Sequence, residues 1–245
     1  TKDPTGFTFY FLNADRLRSW KPEDGPIKTF QELHYKKTGW LTPEHIDFGR
    51  LLRGDYASSH AVVSHRWKQK PHPDKDCEQM QRLHEWLLED DNKSIEFVWL
   101  DFGGLPQGAR TKTEKAYFDA SLRVINFLYL GLRVLILYDL QYVGRFWCAY
   151  EAFLAMHDAH AGGIQPAADD SRYNVLSLGA SKEAHQDNIH TLRDLWKFKT
   201  TEEALSVLAK DDIAVTNMSD KSVQLEKLKT INDDVKELFA QTEKA

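Results

Sequence analysis

The sequence predicts an α/β fold: a doubly wound, mostly parallel sheet of about five strands, with helices on both faces and helical N- and C-terminal extensions. Two observations carry that expectation. The runs "AVVSHRW" (61–67), "IEFVWLDF" (95–102) and "RVLILYDL" (133–140) are short and rich in β-branched and aromatic side chains. They are apolar on both faces, as central strands covered on each side must be. Amphipathic stretches of helical period separate them. Strand, helix, strand, helix, strand is a flavodoxin-like unit, in which right-handed crossovers are expected.

Taken in order, residues 1–60 form an extension packing on the core. Within it "TPEHIDFGRLLRG" (42–54) predicts a helix, with Thr42 as N-cap, Pro43 in the first turn and Gly54 at the end. The first strand follows at 61–67. Residues 77–89 predict a helix through Met80, Leu83 and Leu87, with Asp76 and Gln79 resembling a capping box. After the second strand, Phe118, Leu122, Ile125 and Tyr129 mark a helix over 114–130, with Gly131 as its C-cap. The third strand leads into a helix starting near Gly144. "AHAGGIQPAADD" (159–170) is loop-like, and 173–179 and 213–216 are weaker fourth and fifth strands. Leu225, Leu228, Ile231, Val235 and Leu238 predict a last helix that packs back on the domain. The α/β core spans 61–180, and 181–245 is its helical continuation.

Composition narrows the function. With 42% hydrophobic residues the chain can fill a real core, and no run of eighteen apolar residues predicts a membrane span. The start, "TKDPTGFTFY", lacks an export pattern. A net charge of −5, with no basic block, argues against nucleic acid as the main partner. Two cysteines, Cys77 and Cys148, make no disulfide framework and fit a reducing cytoplasmic setting. None of the ten histidines joins a set with zinc spacing and a convincing third ligand, so no metal is expected.

Ligands of open α/β sheets bind beyond the carboxyl ends of the strands. There the sequence offers Ser64, His65, Arg66 and Trp67, then Asp101 and the loop "FGGLPQGAR" (102–110) ending in Arg110, then Asp139, Gln141 and Tyr142. The loop has neither Walker nor GxGxxG spacing. It reads equally as a flexible rim whose Gly-Gly pair takes positive φ, or as an ordinary connection. Ser64 and His65 are neighbours on a strand and face opposite sides, which argues against a Ser–His nucleophile pair.

In "RFWCAYEAFLAM" (145–156), Glu151 is the one carboxylate in an otherwise apolar helix. It lies too far along the helix to cap its start. Two readings stay even on the residues alone. One is a structural ion pair with Arg145, Arg123 or Arg66. The other is a carboxylate facing the crevice, with Trp147 and Cys148 one turn earlier.

"DLQYVGRFWCAYEAFLA" (139–155) resembles the stretch of TIR domains in which a strand, a short turn and a helix opening on Trp-Cys-x-x-Glu follow one another. "AVVSHRW" resembles the first strand of that fold, and "LDFGGLPQGAR" (100–110) occupies the position of the loop that covers its active site. The likeness spans about residues 61–180, and fungal heterokaryon-incompatibility domains share the plan. Two departures stand out. The first strand ends in Ser-His-Arg-Trp instead of an aromatic-containing turn, and residues 1–60 and 181–245 exceed a minimal TIR domain.

The resemblance implies cleavage of NAD at the nicotinamide–ribose bond, by hydrolysis or cyclisation, with NAD as substrate and no further cofactor. Glu151 falls on the catalytic glutamate. Ser64, His65, Arg66, Trp67, Asp101, Arg110, Tyr142, Trp147 and Cys148 would surround the substrate. Trp147 or Trp67 would stack on a ring, and Arg66 or Arg110 would meet the pyrophosphate. It further implies a role in defence or stress signalling and a homo-oligomer when active. The alternatives are a self-associating module without activity and a nucleotide-binding sensor.

Overall fold

In the computed structural model, residues 5–179, 184–215 and 217–242 are described. The chain opens with strand β1 (Gly6–Asn13), whose last residue caps the short helix α1 (Ala14–Arg18) by accepting from the Asp15 and Arg16 amides. Thr29 and Glu32 form a capping box on α2 (Phe30–Tyr35). Strand β2 (Leu41–Asp47) returns antiparallel to β1, and Asp47 caps α3 (Phe48–Leu52). The helix expected over 42–54 is therefore half strand. Pro43 is tolerated there because β2 is a sheet edge, and Gly54 takes a φ of 85° just past α3.

The remaining elements alternate. They are β3 (His60–His65), α4 (Glu78–Leu88), β4 (Phe97–Trp99), the turn α5 (Asp101–Gly104), α6 (Lys112–Val124), α7 (Asn126–Gly131), β5 (Arg133–Tyr138) and α8 (Phe146–Ala155). After these come β6 (His157–His160), β7 (Gly163–Pro166), β8 (Tyr173–Ser177), α9 (His185–Trp196), α10 (Thr201–Leu208) and α11 (Met218–Thr242). The six-stranded sheet has the order β2-β1-β4-β3-β5-β8, with β4, β3, β5 and β8 parallel and the β1–β2 hairpin antiparallel at one edge. The chain steps from β3 to β4 and then returns past β3 to β5. The topological switch point thus falls between β3 and β5.

Both faces are covered, as the apolar runs require. Val62, Trp99, Val134 and Ile136 pack against Phe48, Leu128, Phe153 and Ile231 from the helices of one face. Ala61, Val63, Val98 and Leu135 pack against Leu17, Met80 and Leu83 on the other. Each such large side chain contributes about 1.5–3 kcal/mol on burial. Alternation along β3 sends Ser64 to the face of Val62 and α8, and His65 to the face of α4.

Several local expectations are corrected. The cap of α4 is Asp74, not Asp76: its carboxylate accepts from the Gln79 and Met80 amides, while Cys77 turns the chain at a φ of 60°. The helix over 114–130 divides at Ile125 into α6 and α7. Gly131 serves close packing, since a Cβ there would lie 2.6 Å from Leu51 Cγ. Residues 159–170 include most of the β6–β7 hairpin. The fifth strand is not formed: Ala214 makes an isolated bridge to Arg145, and Thr216 lies outside the described residues. The expected junction at 180/181 is also outside them. The N-terminal extension is not merely helical, for it supplies β1 and β2. No described helix is long and apolar enough to cross a membrane.

Candidate functional site

A cavity of about 260 Å³ opens at the carboxyl ends of β3 and β4, walled by α8, the helices α6 and α7, and the segment leading into α11. Glu151 and Trp147 of α8 line it, with His65, Arg66, Trp67, Asp101, Arg110 and Cys148. Of the residues expected at the site, Ser64 and Tyr142 are corrected: both are fully buried behind the wall and do not border the cavity. Their role is to hold Glu151. The Ser64 hydroxyl donates to Glu151 Oε2 at 2.5 Å, and the Tyr142 hydroxyl meets Ser64 Oγ at 2.5 Å.

Glu151 is 8% exposed and makes no ion pair with Arg145, Arg123 or Arg66. Arg66 is instead clamped to Asp139, through Nε at 2.8 and 3.0 Å and Nη2 at 2.6 Å. Burial pushes the Glu151 carboxyl up to about 8; Ser64, His65 and Tyr129 pull the other way, and Asp101 adds to the rise. At neutral pH Glu151 is therefore mostly the protonated acid.

His65 lies between two acceptors. Its Nδ1 is 2.7 Å from Gln79 Oε1, and its Nε2 is 2.8 Å from Asp101 Oδ1. Gln79 uses its amide group on the Arg66 carbonyl, which leaves its oxygen to face His65. Both ring nitrogens are then donors, the pattern of an imidazolium. Burial alone would lower the His65 imidazole; Asp101, Gln79 and Glu151 more than offset it, and it titrates above its ordinary value. Burial would likewise raise Asp101, but His65, the Trp67 indole and the Phe102 amide hold it below the carboxylate range.

The other expected residues are constrained as well. The Cys148 thiol donates to the His65 carbonyl at 3.5 Å, and burial pushes it well above its usual value, so it is no nucleophile. Arg110 stacks on Phe118 at 3.7 Å and donates Nε–H to the Pro106 carbonyl. The 102–110 loop is tied down: Gln107 bonds the Asp101 and Leu105 carbonyls and exchanges two bonds with Gln31. Its Gly-Gly pair lies in the turn α5 without positive φ, and a Cβ on Gly104 would sit 2.9 Å from Trp99 Nε1. Only Gly108 of this loop takes the left-handed region, at 59°.

The sequence does not mark Lys70, Tyr129 or Asp220 as site residues, and it offers Gln107 only as part of the 102–110 loop and Arg145 only as an ion-pair partner of Glu151; all five line the cavity. Tyr129 is hidden in the apolar period of its helix, where its hydroxyl bonds the Val63 carbonyl at 3.2 Å. Asp220 comes from the first turn of α11, 69 positions beyond Glu151 and with no local pattern to mark it. Among the described residues no group of histidine, cysteine and carboxylate side chains is arranged to hold a metal ion. The chain matches no protein-family model, no curated protein and no solved structure.

Proposed function

We propose that the chain cleaves the nicotinamide–ribose bond of NAD, like the TIR enzymes it resembles, with Glu151 as the catalytic carboxylate. One observation carries the reading. Glu151 is a buried acid with no cation bonded to it, on the wall of a cavity at the carboxyl ends of β3 and β4, which Trp147 also lines. An unpaired buried acid costs stability, and such groups concentrate at functional sites.

The chemistry needs little else. When the C1′–N bond breaks, its electron pair goes to the ring nitrogen and nicotinamide departs neutral, so no general acid is required. Positive charge develops on the ribose, and the Glu151 carboxylate opposes it in a cavity with largely apolar walls. Water adds to C1′ and gives up a proton, leaving ADP-ribose; attack by an adenine nitrogen gives a cyclic product. The cationic ring favours the charged form of Glu151, so ligand binding expels its proton. Ser64 then donates to the carboxylate that results. Trp147 stacks on the substrate.

The reading extends to a homo-oligomer as the active form and to defence or stress signalling in the cytoplasm. The test is nicotinamide release from NAD at high protein concentration and under crowding. Wild type should release it, and Glu151→Gln should not while keeping its fold. Intact NAD after long incubation in the assembled state would count heavily against the proposal. A nucleotide sensor is the second reading, favoured by the protonated state of Glu151 at neutral pH, which can hold a ligand without cleaving it. Under it, ligand would be recovered unchanged from the purified protein.

A further inference from the structure

The charges around the cavity do not balance. His65 is matched by Asp101 and Arg66 by Asp139. Burial lowers Arg110 while the charges of Asp119, Glu114 and Asp220 oppose that, and of these three carboxylates Asp220 lines the cavity. Glu151 is mostly neutral near pH 7. Two cations remain, Lys70 and Arg145, both lining the cavity and neither with an ion-pair or hydrogen-bond partner for its charged group among the described residues. Lys70 is exposed and follows the end of β3; Arg145 is half-buried at the start of α8. Counting the groups that line the cavity, with Asp139 set against Arg66, five cations meet three carboxylates and leave a surplus of two positive charges, the complement of a phosphate monoester dianion.

Distance and size fit the same ligand. Arg145 precedes Glu151 by six residues, roughly 9 Å along the helix axis. A ribose with its 5′-phosphate spans such a gap once contacts at each end are allowed for. A cavity of about 260 Å³ lies at the small end of ligand sites, below about 300 Å³. That size suits the nicotinamide–ribose half of a dinucleotide, which would leave the phosphate at the mouth beside Lys70 and Arg145 and the remainder outside.

We infer that Arg145 and Lys70 form a subsite for the 5′-phosphate, so that the cleft selects nicotinamide mononucleotides and does not require the adenylate half. This rests on the proposed cleavage at Glu151. Nicotinamide mononucleotide and water then give nicotinamide, ribose 5-phosphate and a proton, by the same bond changes. Guanidinium-to-phosphate hydrogen bonds supply both affinity and orientation, which a nucleoside lacking the phosphate forgoes.

The experiment measures kcat/KM for nicotinamide release from nicotinamide riboside, its 5′-mononucleotide and NAD, under the conditions of assembly used above. The mononucleotide and NAD should agree within about fivefold, and the riboside should be at least about thirtyfold slower. Arg145→Met should reduce the mononucleotide-to-riboside ratio at least about tenfold, Lys70→Met should reduce it less, and Arg145→Lys should restore part of it. Equal rates on riboside and mononucleotide, or a ratio unchanged by Arg145→Met, would overturn the subsite. A mononucleotide much slower than NAD would overturn the claim about the adenylate half. If none of the three is cleaved, the cleavage reading fails, and calorimetric titration of the same protein with mononucleotide and riboside judges the subsite separately. Tighter mononucleotide binding that Arg145→Met removes supports it; equal binding, or none, refutes it.

Discussion

Ser64 and Glu151, 87 residues apart in the chain, are joined by a 2.5 Å hydrogen bond in which the serine hydroxyl donates to Oε2. The bond ties the end of β3 to the middle of α8 across the switch point of the sheet. It also counters burial at Glu151, because it favours the charged carboxyl. Tyr142 supports it from behind at 2.5 Å, and the three side chains act as one unit.

Ser64→Ala should therefore move the protonation of Glu151 further up. Under the proposed cleavage the carboxylate is the reactive form, so kcat/KM for nicotinamide release should rise with pH through about 8 in the wild type. In Ser64→Ala the midpoint should move up by about one unit, with an approximately tenfold loss at pH 7. The Tyr142 hydroxyl, left without its partner, should cost roughly 1–3 kcal/mol of stability. A pH–rate series on both proteins decides this: an unchanged midpoint means that Ser64 does not stabilise the charge.

Glu151→Gln should abolish turnover and yet stabilise the protein at neutral and alkaline pH. The folded-state value, about 8, lies above the ordinary value of 4.5, so the native state binds more protons than the unfolded one between these limits. Stability due to this group is intact below about pH 4.5 and falls as pH rises towards 8. The full loss is on the order of 5 kcal/mol. Glutamine keeps the shape of the protonated acid and carries no such loss. Urea unfolding at pH 5, 7 and 9 should show the variant gaining on wild type at each step; parallel curves would mean that Glu151 is ionised at little cost.

The legible features of the chain were those with a compositional contrast. β3, β4 and β5 are apolar on both faces, and Glu151 is a carboxylate among apolar neighbours. β2 gave no such signal: along LTPEHID only Ile46 is buried, and Thr42-Pro43 imitates a helix start. Asp74 and Asp76 are equally plausible caps by composition, and the left-handed turn at Cys77 decides between them. Trp67 and Asp101 were legible as strand-end residues, but their bond to one another depends on two parallel strands lying side by side. Lys70 and Arg145 look like ordinary surface cations until the partners of the other charges are known.

Gly131→Ala tests the packing under this site. Its Cβ would meet Leu51 Cγ at 2.6 Å and the Leu51 carbonyl oxygen at 2.8 Å, so α7 and α3 would have to separate. Overpacking of this kind costs about 1–3 kcal/mol. Because α7 carries Tyr129 into the cavity wall, the thermal midpoint and the nicotinamide-release rate should fall together. A variant as stable as wild type would mean that the two helices yield freely.

Asp101→Asn isolates the charge of the buried pair. His65 is held as an imidazolium by Asp101 and Gln79, and asparagine keeps the shape while removing the charge. A raised histidine contributes stability that is fully present below its unfolded value, near 6.5, and lost as pH rises through its folded value. The depressed Asp101 contributes above its unfolded value, near 3.8, and loses this as pH falls. The pair is therefore worth most between about pH 4 and 6.5. Because the Asp101 side chain is one-third exposed, breaking the pair at pH 6 should cost about 1–3 kcal/mol, less than for a fully buried pair. Once pH has risen through the folded-state value of His65 the wild-type imidazolium also loses its proton, and the gap between the two proteins should narrow. Urea unfolding at pH 6 and pH 9 measures both gaps; an equal gap at the two pH values would show that geometry, not charge, binds His65 to Asp101.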